Sequence, residues 1–378
     1  MSDPAPCIGV DFGTESGRVL VIDARTGEEL ALSVVDYPSA VIDRELPSTG
    51  ERLPSDWALQ DPGDWVTVLE RGVPEAIEKA GIEPGAVVGF GIDTTACTPL
   101  PVTEDGTPLC QLDAYRERRN AWPKLWKHHA AQPVADRLNE VAAERDESFL
   151  ERYGGKISSE WYFPKLIEVW LEDRECYDAA AAYIECTDWL TWYLTGIECR
   201  QSCAAGYKAM WSPEEGLPST EYFEAAYPGF GAPGEKLGDR FVPLGTRAGT
   251  VREAVAAKLG LGDDVAVAVG NVDSFVSVPG AGVEAAGVFV TVVGTSICDM
   301  VVGPDEVRMP GITGVVRDGI LPQLYGYEAG QAAVGDMLAW FVRAFERDTT
   351  GFEPLEAAAG ALRPGETGLV VLDWFNGN

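Results

Sequence analysis

The stretch CIGVDFGTESGRVLVID, at residues 7–23, decides how the first part of this chain folds. Apolar residues alternate on both sides of the central GTESG, which predicts two strands joined by a tight turn. The glycines let backbone N–H groups approach an anion closely, and Thr14 and Ser16 add hydroxyl donors. Asp11 ends the first strand, where a carboxylate suits Mg²⁺ held through water. An ordinary glycine-rich hairpin is the alternative.

A second stretch, VFVTVVGTSICDMVV at residues 288–302, repeats this plan. Gly294, Thr295 and Ser296 separate two apolar strands there. Two such hairpins in one chain indicate two related halves that face one nucleotide, with one turn on each side of its phosphates. In this the chain resembles the actin/hexokinase/Hsp70 superfold, an α/β, ribonuclease H-like architecture of two domains. Chance repetition of a short Gly-Thr-Ser turn is the alternative.

The composition predicts a soluble protein of two domains. The 378 residues exceed one typical domain, and 46% of them are apolar, which is enough to form cores. The apolar runs are too short to span a bilayer and we find no signal peptide, so we expect a cytoplasmic protein. The eight cysteines form no C-x-x-C pair, which favours reduced thiols over a zinc site.

The charge balance is strongly acidic. Asp and Glu number 60 against 29 basic residues, of which only 8 are lysines, and the net charge is −31. Such a surface rejects nucleic acid and anionic membranes. It suits a cytoplasm with very high salt, where screening removes self-repulsion; an acidic protein from a GC-rich mesophile is the alternative. The sequence leaves the oligomeric state open, with a homodimer as one alternative.

Polar residues at two predicted strand ends mark a candidate site. The buried strand at 86–92 runs into DTTACTP at 93–99, which is polar where a core strand would be apolar and therefore should line a pocket. The buried strand at 265–269 leads to Asp273. A carboxylate there can orient a sugar hydroxyl and accept its proton. A carboxylate that caps the following helix is equally consistent with this position.

Two further charged residues are weaker candidates. Lys208 is predicted to lie in a loop over 203–208, where it can bind a sugar hydroxyl or a phosphate oxygen, with an exposed loop lysine as the alternative. Glu328 is predicted to open a long helix over 326–348, where an acid normally serves only the helix dipole. We also predict that 112–143 is mostly helical.

Eight stretches, taken together, resemble the FGGY family of carbohydrate kinases. They are GVDFGTESGR (9–18), GIDTTACTP (91–99), LWKHHAA (125–131), GGKISSEW (154–161), AGYKAMW (205–211), GNVDS (270–274), GTSIC (294–298) and GYEAGQAAVGD (326–336). The resemblance implies phosphorylation of a ketopentose, most closely of L-ribulose at its 5-hydroxyl, with ATP and Mg²⁺.

The resemblance also implies a role for each matching residue. Asp273 would be the catalytic base and would contact the sugar together with Ala96, Lys208 and Glu328. The ATP phosphates would be held by Asp11, Gly13, Thr14, Gly294, Thr295 and Ser296, with Asp11 also at the metal. Two positions depart from the family pattern, because Phe275 and Asp299 stand where histidines are usual.

The resemblance divides the chain into a sugar-binding domain at 1–285 and a nucleotide-binding domain that begins at 286. Family members continue well past residue 378, so we expect the second domain to be truncated, with a strand at 369–372 as its last element. We therefore expect these residues alone to bind a pentulose but to phosphorylate it poorly. The alternatives are a catalytically incompetent sugar-binding fragment and an actin- or Hsp70-like ATPase with a protein partner.

Stability should depend on salt, because the net charge of −31 repels itself unless ions screen it. We expect the melting temperature to rise markedly between low and molar KCl, where the Debye length shrinks to about 3 Å. Sucrose at matched osmolality, which does not screen charge, is the control. A flat response to KCl would contradict adaptation to salt.

Overall fold

The computed structural model describes residues 4–238, 240–262, 264–294, 296–331, 333–345 and 352–372. Its strands are β1 Pro6–Phe12, β2 Ser16–Asp23, β3 Glu28–Asp36, β4 Gly89–Thr94, β5 Pro99–Val102, β6 Ala182–Glu185, β7 Arg200–Gln201, β8 Phe241–Val242, β9 Arg247–Thr250, β10 Ala266–Ala268, β11 Asn271–Val272, β12 Phe289–Val293, β13 Ile297–Gly303, β14 Gly314–Arg317 and β15 Tyr325–Gln331. Its α-helices are α1 Pro62–Thr67, α2 Val73–Ala80, α3 Gln132–Glu144, α4 Tyr162–Glu172, α5 Arg174–Ala179, α6 Cys186–Thr195, α7 Ser202–Ala209, α8 Thr220–Ala226, α9 Gly234–Leu237, α10 Glu253–Leu259, α11 Asp273–Gly280, α12 Gly335–Phe345 and α13 Glu353–Gly360.

A seven-stranded sheet is built on the hairpin that opens the chain. The strand order is β3-β2-β1-β4-β10-β9, and β11 also pairs with β4. The predicted hairpin at 7–23 is confirmed as β1 and β2, which pair antiparallel. Strand β4 runs parallel to β1, β10 and β11, so the carboxyl ends of these strands meet at one edge. Gly17 is required in this hairpin, because a Cβ there would lie 2.5 Å from Cγ1 of Val68.

A second, antiparallel sheet has the order β12-β13-β15-β14. The predicted hairpin at 288–302 is confirmed as β12 and β13. The predicted long helix over 326–348 is wrong at its start, because β15 occupies that region and pairs with β13 and β14 on its two sides. The helix begins only at Gly335. The predicted strand at 369–372 is wrong, since these residues form no strand and their side chains are at least 64% exposed.

The helix predicted over 112–143 is also mostly wrong. An α-helix is present only in α3, and a single 3₁₀ turn lies at Arg119–Ala121. Before α3 the backbone at 112–122 forms short local turns, and from residue 124 on it also hydrogen-bonds to distant segments; the N–H of Lys124, for example, donates to the carbonyl of Pro99 at 3.1 Å. Contacts with distant segments therefore replace the helical pattern that the local sequence favours.

The segment at 203–208, predicted to be a loop, lies inside helix α7. The side chain of Gln201 starts this helix by accepting a hydrogen bond from the N–H of Ala204. Gly206 lies where a Cβ would come 2.2 Å from Cγ1 of Val316 on β14. The glycine that resembles a loop residue in the sequence thus allows close packing of a helix on a sheet.

Three buried clusters hold the described residues together. The first packs α1, α2, α6 and α10 on the seven-stranded sheet, and the second lies among α3, α4 and α8. The third contains residues of α7 and α11 with residues of the second sheet, and it joins the two sheets. No helix of the described residues is long and apolar enough to cross a membrane.

A buried ion cluster lies in the second of these cores. The carboxylate of Glu168 accepts hydrogen bonds from Nζ of Lys124 at 2.6 Å and from Nε2 of His128 at 2.7 Å. Nδ1 of His128 accepts from the backbone N–H of Ala58 at 3.4 Å. These two bonds suit the neutral imidazole, because protonated Nδ1 would face another donor. Burial and the charge of Lys124 lower the pKa of His128 to about 3.

This lowered pKa predicts that acid destabilises the protein. Between pH 6.5 and pH 3 the unfolded chain binds a proton at His128 that the folded chain excludes, so stability falls as the pH falls. We expect a loss of about 2 kcal/mol in the free energy of unfolding between pH 6.5 and 5, at about 1.4 kcal/mol per pH unit. Denaturant titrations at several pH values measure this loss.

Two variants separate this effect from other titrations. His128→Gln cannot take up the proton, so its free energy of unfolding should depend less on pH over that range. The only other histidine, His129, has a side chain that is 48% exposed, and His129→Gln should keep the pH dependence of the parent. Equal pH dependence in both variants would contradict the assignment to His128.

Candidate active site

Three acidic residues meet where parallel strands end. In the ladders Asp11 of β1 pairs with Asp93 of β4, and Asp93 pairs with Asn271 of β11. Asp273 follows β11 directly and is the first residue of α11. Because β4 lies between β1 and β11, the structure brings Asp93 between the two predicted site residues. Asp93 was missing from the predicted site residues, although the polar end of its strand marked it in the sequence.

Two of these carboxyl groups have a raised pKa, and the charge of Asp11 contributes to both. Burial, followed by the charges of Asp11 and Asp273, raises the pKa of Asp93 well above its usual range. Burial raises the pKa of Asp273 to about 6, against the opposing effects of the Ser274 N–H, which donates to its carboxylate at 2.6 Å, and of Lys208. The edge therefore favours a ligand or a proton that reduces its negative charge.

The same edge offers oxygen ligands to a divalent cation. Nη1 of Arg18 contacts Oδ2 of Asp11 at 2.7 Å, and the carboxyl group of Asp93 lies beside Asp11. Within the described ranges no three acidic, histidine or cysteine side chains are grouped closely enough to form a complete metal site. Mg²⁺ normally binds one or two carboxylates and completes its shell with water and phosphate oxygens, so these residues fit it.

The first glycine turn is braced by residues from distant segments. Its backbone closes through the Gly13 N–H, which donates to the Ser16 carbonyl at 3.0 Å. Nε1 of Trp126 donates to Oγ1 of Thr14 at 3.0 Å, and Nε2 of Gln60 donates to the Thr14 carbonyl at 2.9 Å. The turn is thus held in one conformation before any ligand binds. Neither brace could be predicted from the local sequence.

The second glycine turn closes in a similar way. The Gly294 N–H donates to the Ser296 carbonyl at 2.9 Å, and the Gly335 N–H at the start of α12 donates to the Gly294 carbonyl at 3.2 Å. Gly294 is exposed, while Ser296 is partly buried. Thr295, the third residue predicted for this turn, lies outside the described residues.

Of the remaining sugar candidates, Lys208 and Glu328 form a polar pair although their elements were mispredicted, and Ala96 packs on an apolar cluster. Lys208 lies in the last turn of α7, and its Nζ is 3.7 Å from Oε2 of Glu328, which lies within β15. Only 15% and 13% of these side chains are exposed. Ala96 follows β4 and packs on the same apolar cluster as Phe275, whose ring lies 5.9 Å from the Lys208 ammonium.

Tyr207 fixes the position of this helix against the second sheet. Its ring stacks on Phe275 with centroids 4.2 Å apart, and it is fully buried. A Cβ at Gly314, Gly319 or Gly326 would come within 2.4, 2.8 or 2.5 Å of its side chain. The ring therefore fills a recess that only glycine can form.

The two departures from the family pattern have different surroundings. Phe275 is buried under Tyr207 near the sugar candidates. Asp299 lies on β13, where its carboxylate accepts a hydrogen bond from Oγ1 of Thr291 at 2.7 Å across the hairpin. The first replacement thus makes the wall beside Lys208 apolar, and the second adds a cross-strand pair.

Comparison with known proteins shows which family this chain belongs to. The sequence profile described as "FGGY family of carbohydrate kinases, N-terminal domain" matches residues 7–280, and that of the C-terminal domain matches residues 289–378. The chain belongs to the FGGY family of carbohydrate kinases. It is thus a carbohydrate kinase, an enzyme that transfers a phosphoryl group from ATP to a sugar.

Individual FGGY proteins are similar over almost the whole chain. A ribulokinase from Anoxybacillus flavithermus is 49% identical over 98% of this chain and 68% of that protein. A ribulokinase from Mycolicibacterium smegmatis is 44% identical over 99% of this chain and 69% of that protein. Identities of 44% and 49% over almost the whole chain support the same family assignment.

Solved structures of FGGY-type kinases share the fold. The chain resembles a xylulose kinase from Rhodospirillum rubrum with a TM-score of 0.78 and 20% identity, over 98% of this chain and 70% of that chain. It resembles a Plasmodium falciparum glycerol kinase with ADP with a TM-score of 0.71 and 14% identity, over 94% and 66%. Together with the family, these structures confirm the actin/hexokinase-like two-domain class that the sequence predicted.

Proposed function

We propose that this FGGY kinase phosphorylates L-ribulose at its 5-hydroxyl, forming L-ribulose 5-phosphate in the breakdown of L-arabinose. The observation that carries the proposal is the position of Asp273 directly after β11, at the carboxyl ends of the parallel strands, where the charges of Asp11 and Lys208 both act on its carboxylate. The choice of L-ribulose is supported by the similarity to the ribulokinases, which extends over 98% or more of the chain.

Asp273 is the proposed catalytic base. Its pKa of about 6 leaves it ionised at neutral pH, yet closer to the working pH than an exposed carboxylate, which favours proton acceptance from a hydroxyl. Its neighbours in the sugar site are Ala96, Lys208 and Glu328. Lys208 donates to sugar oxygens and Glu328 accepts from hydroxyls, so the pair can orient the ketopentose before transfer.

ATP would be held by the two glycine turns. The turns formed by Gly13, Thr14, Gly294, Thr295 and Ser296 would contact its phosphates through their hydroxyls and through N–H groups that do not close the turns. Asp11, with Asp93 beside it, would hold Mg²⁺, which neutralises charge on the phosphoryl group when bound. The Gln60 and Trp126 braces would keep Thr14 in place during transfer.

The finer predictions from the sequence belong to this proposal. We place the boundary between the sugar-binding and nucleotide-binding domains at residues 285 and 286. A pentulose and ATP are the proposed small-molecule partners, in a cytoplasm rich in salt. The net charge of −31 argues against nucleic acid and anionic membranes as partners. A homodimer remains one alternative for the assembly.

A coupled assay of ADP release tests the activity. L-ribulose, D-ribulose, L-xylulose and D-xylulose are offered to the complete gene product with ATP and Mg²⁺, at low and at molar KCl. We expect turnover with L-ribulose on the order of 1–100 s⁻¹, an ordinary rate for a kinase. ADP release without sugar would favour an ATPase, and calorimetric binding of L-ribulose without ADP release would favour a sugar-binding protein.

The role of Asp273 predicts a specific kinetic loss. Asp273→Asn should lower kcat with L-ribulose by about 10²–10⁴-fold, because the amide cannot accept the proton, while sugar binding changes little. Asp113→Asn is the matched control, since that side chain is 93% exposed. Near-parental kcat in Asp273→Asn, with an unchanged melting temperature, would rule out the base.

A further inference from the structure

Lys165 is a buried ammonium whose partners are main-chain oxygens. The side chain, on α4, is 0% exposed. In the part of the chain that the structure describes, its Nζ donates to the carbonyls of Cys97 at 2.7 Å, Leu125 at 2.9 Å and Lys124 at 3.4 Å. Burying a charge costs free energy that an apolar side chain of the same size would not incur, so packing alone does not explain this lysine.

The two segments that Lys165 joins each lead to a site residue. The Cys97 carbonyl belongs to the residue that follows Ala96, the predicted sugar contact. The Leu125 carbonyl precedes Trp126, whose Nε1 donates to Thr14 in the first glycine turn at 3.0 Å. One ammonium group therefore ties the segment beside the sugar to the brace of the phosphate turn.

Glu185 holds the same segment through other atoms. This buried residue ends β6, and its Oε2 accepts the backbone N–H of Thr98 at 2.9 Å. Its Oε1 accepts a hydrogen bond from Sγ of Cys97 at 2.6 Å. Residues 96–98, here named the sugar loop, are thus held both by a buried cation and by a buried carboxylate.

We propose that Lys165 is a positioning residue that fixes the sugar loop relative to the phosphate turn. It touches neither substrate; it acts by keeping Ala96 and Trp126 at one separation. The proposal rests on the proposed function, because it assigns the sugar to Ala96 and the phosphates to Thr14. Loss of the ammonium should free the loop and misalign the sugar hydroxyl with the phosphoryl group.

Lys165→Met tests this role, since methionine fills similar volume but donates no hydrogen bond. In the complete gene product, kcat/KM for L-ribulose should fall by about 10–100-fold, because small misplacements are costly in phosphoryl transfer. Arg152→Met is the control: the side chain of this arginine is 3% exposed, and it pairs with Glu215 and Glu306 instead of the sugar loop. It should lower the melting temperature while kcat/KM changes by less than about threefold.

Thiol labelling gives a second measurement that needs neither sugar nor ATP. Cys97, Cys110 and Cys176 are all buried in one core cluster, and mass spectrometry can follow the labelling of each. In Lys165→Met, labelling of Cys97 should accelerate at least about tenfold, while the other two keep their parental rates, because only the sugar loop opens. General destabilisation would instead accelerate all three.

The outcomes are distinct. Parental kcat/KM in Lys165→Met, or equal acceleration of the three thiols, overturns the role of Lys165. If the unmodified protein releases no ADP with L-ribulose, the proposed function is overturned. The labelling result still decides whether Lys165 holds the sugar loop. If Lys165→Met does not fold, Lys165→Gln replaces it, because its amide can keep one of the hydrogen bonds to the carbonyls of Cys97 and Leu125. That variant should show a smaller but still selective acceleration of labelling at Cys97; parental labelling there also overturns the proposal.

Discussion

The parallel pairing of β4 with β1 on one side and with β11 on the other is the constraint on which the site depends. It places Asp11, Asp93 and the start of α11 at one edge, where the charges of Asp11 and Asp273 raise the pKa of Asp93. Charges of one sign cannot be concentrated there without a counter-charge or a proton. The edge is therefore suited to a cation and to proton transfer, and the braced turn and the Lys208–Glu328 pair lie around it.

The two hairpins and the position of Asp273 could be predicted because their signals are local. Alternation with period two, a glycine turn and a polar strand end all lie within a few residues. Lys208 and Glu328 were assigned to the wrong elements because distant partners decide their structure. Glu328 lies in a strand only because β13 and β14 pair on both sides of it, and the sequence around it carries no mark of those partners.

Lysine has an unusual distribution in this acidic chain. Only 8 of the 29 basic residues are lysines, yet Lys124 and Lys165 are fully buried and Lys208 is largely so. The three buried ammonium groups have different partners. Lys165 donates to backbone carbonyls that converge from separate segments, whereas Lys124 and Lys208 each pair with a buried carboxylate. A compact ammonium with three rotatable donors can meet either arrangement.

The recess around Tyr207 has a consequence for how this kinase can vary and move. The ring fits only because three residues around it are glycines: Gly314, Gly319 and Gly326. A methyl group at any of them would clash with the ring, so the ring has one position against the second sheet. The second sheet cannot slide along α7 unless the ring leaves this recess. Lys208 is the next residue on α7, so its position is tied to that of the ring. Any rotation of one half against the other must therefore carry the Lys208 ammonium with the second sheet, or else take place at another boundary in the fold.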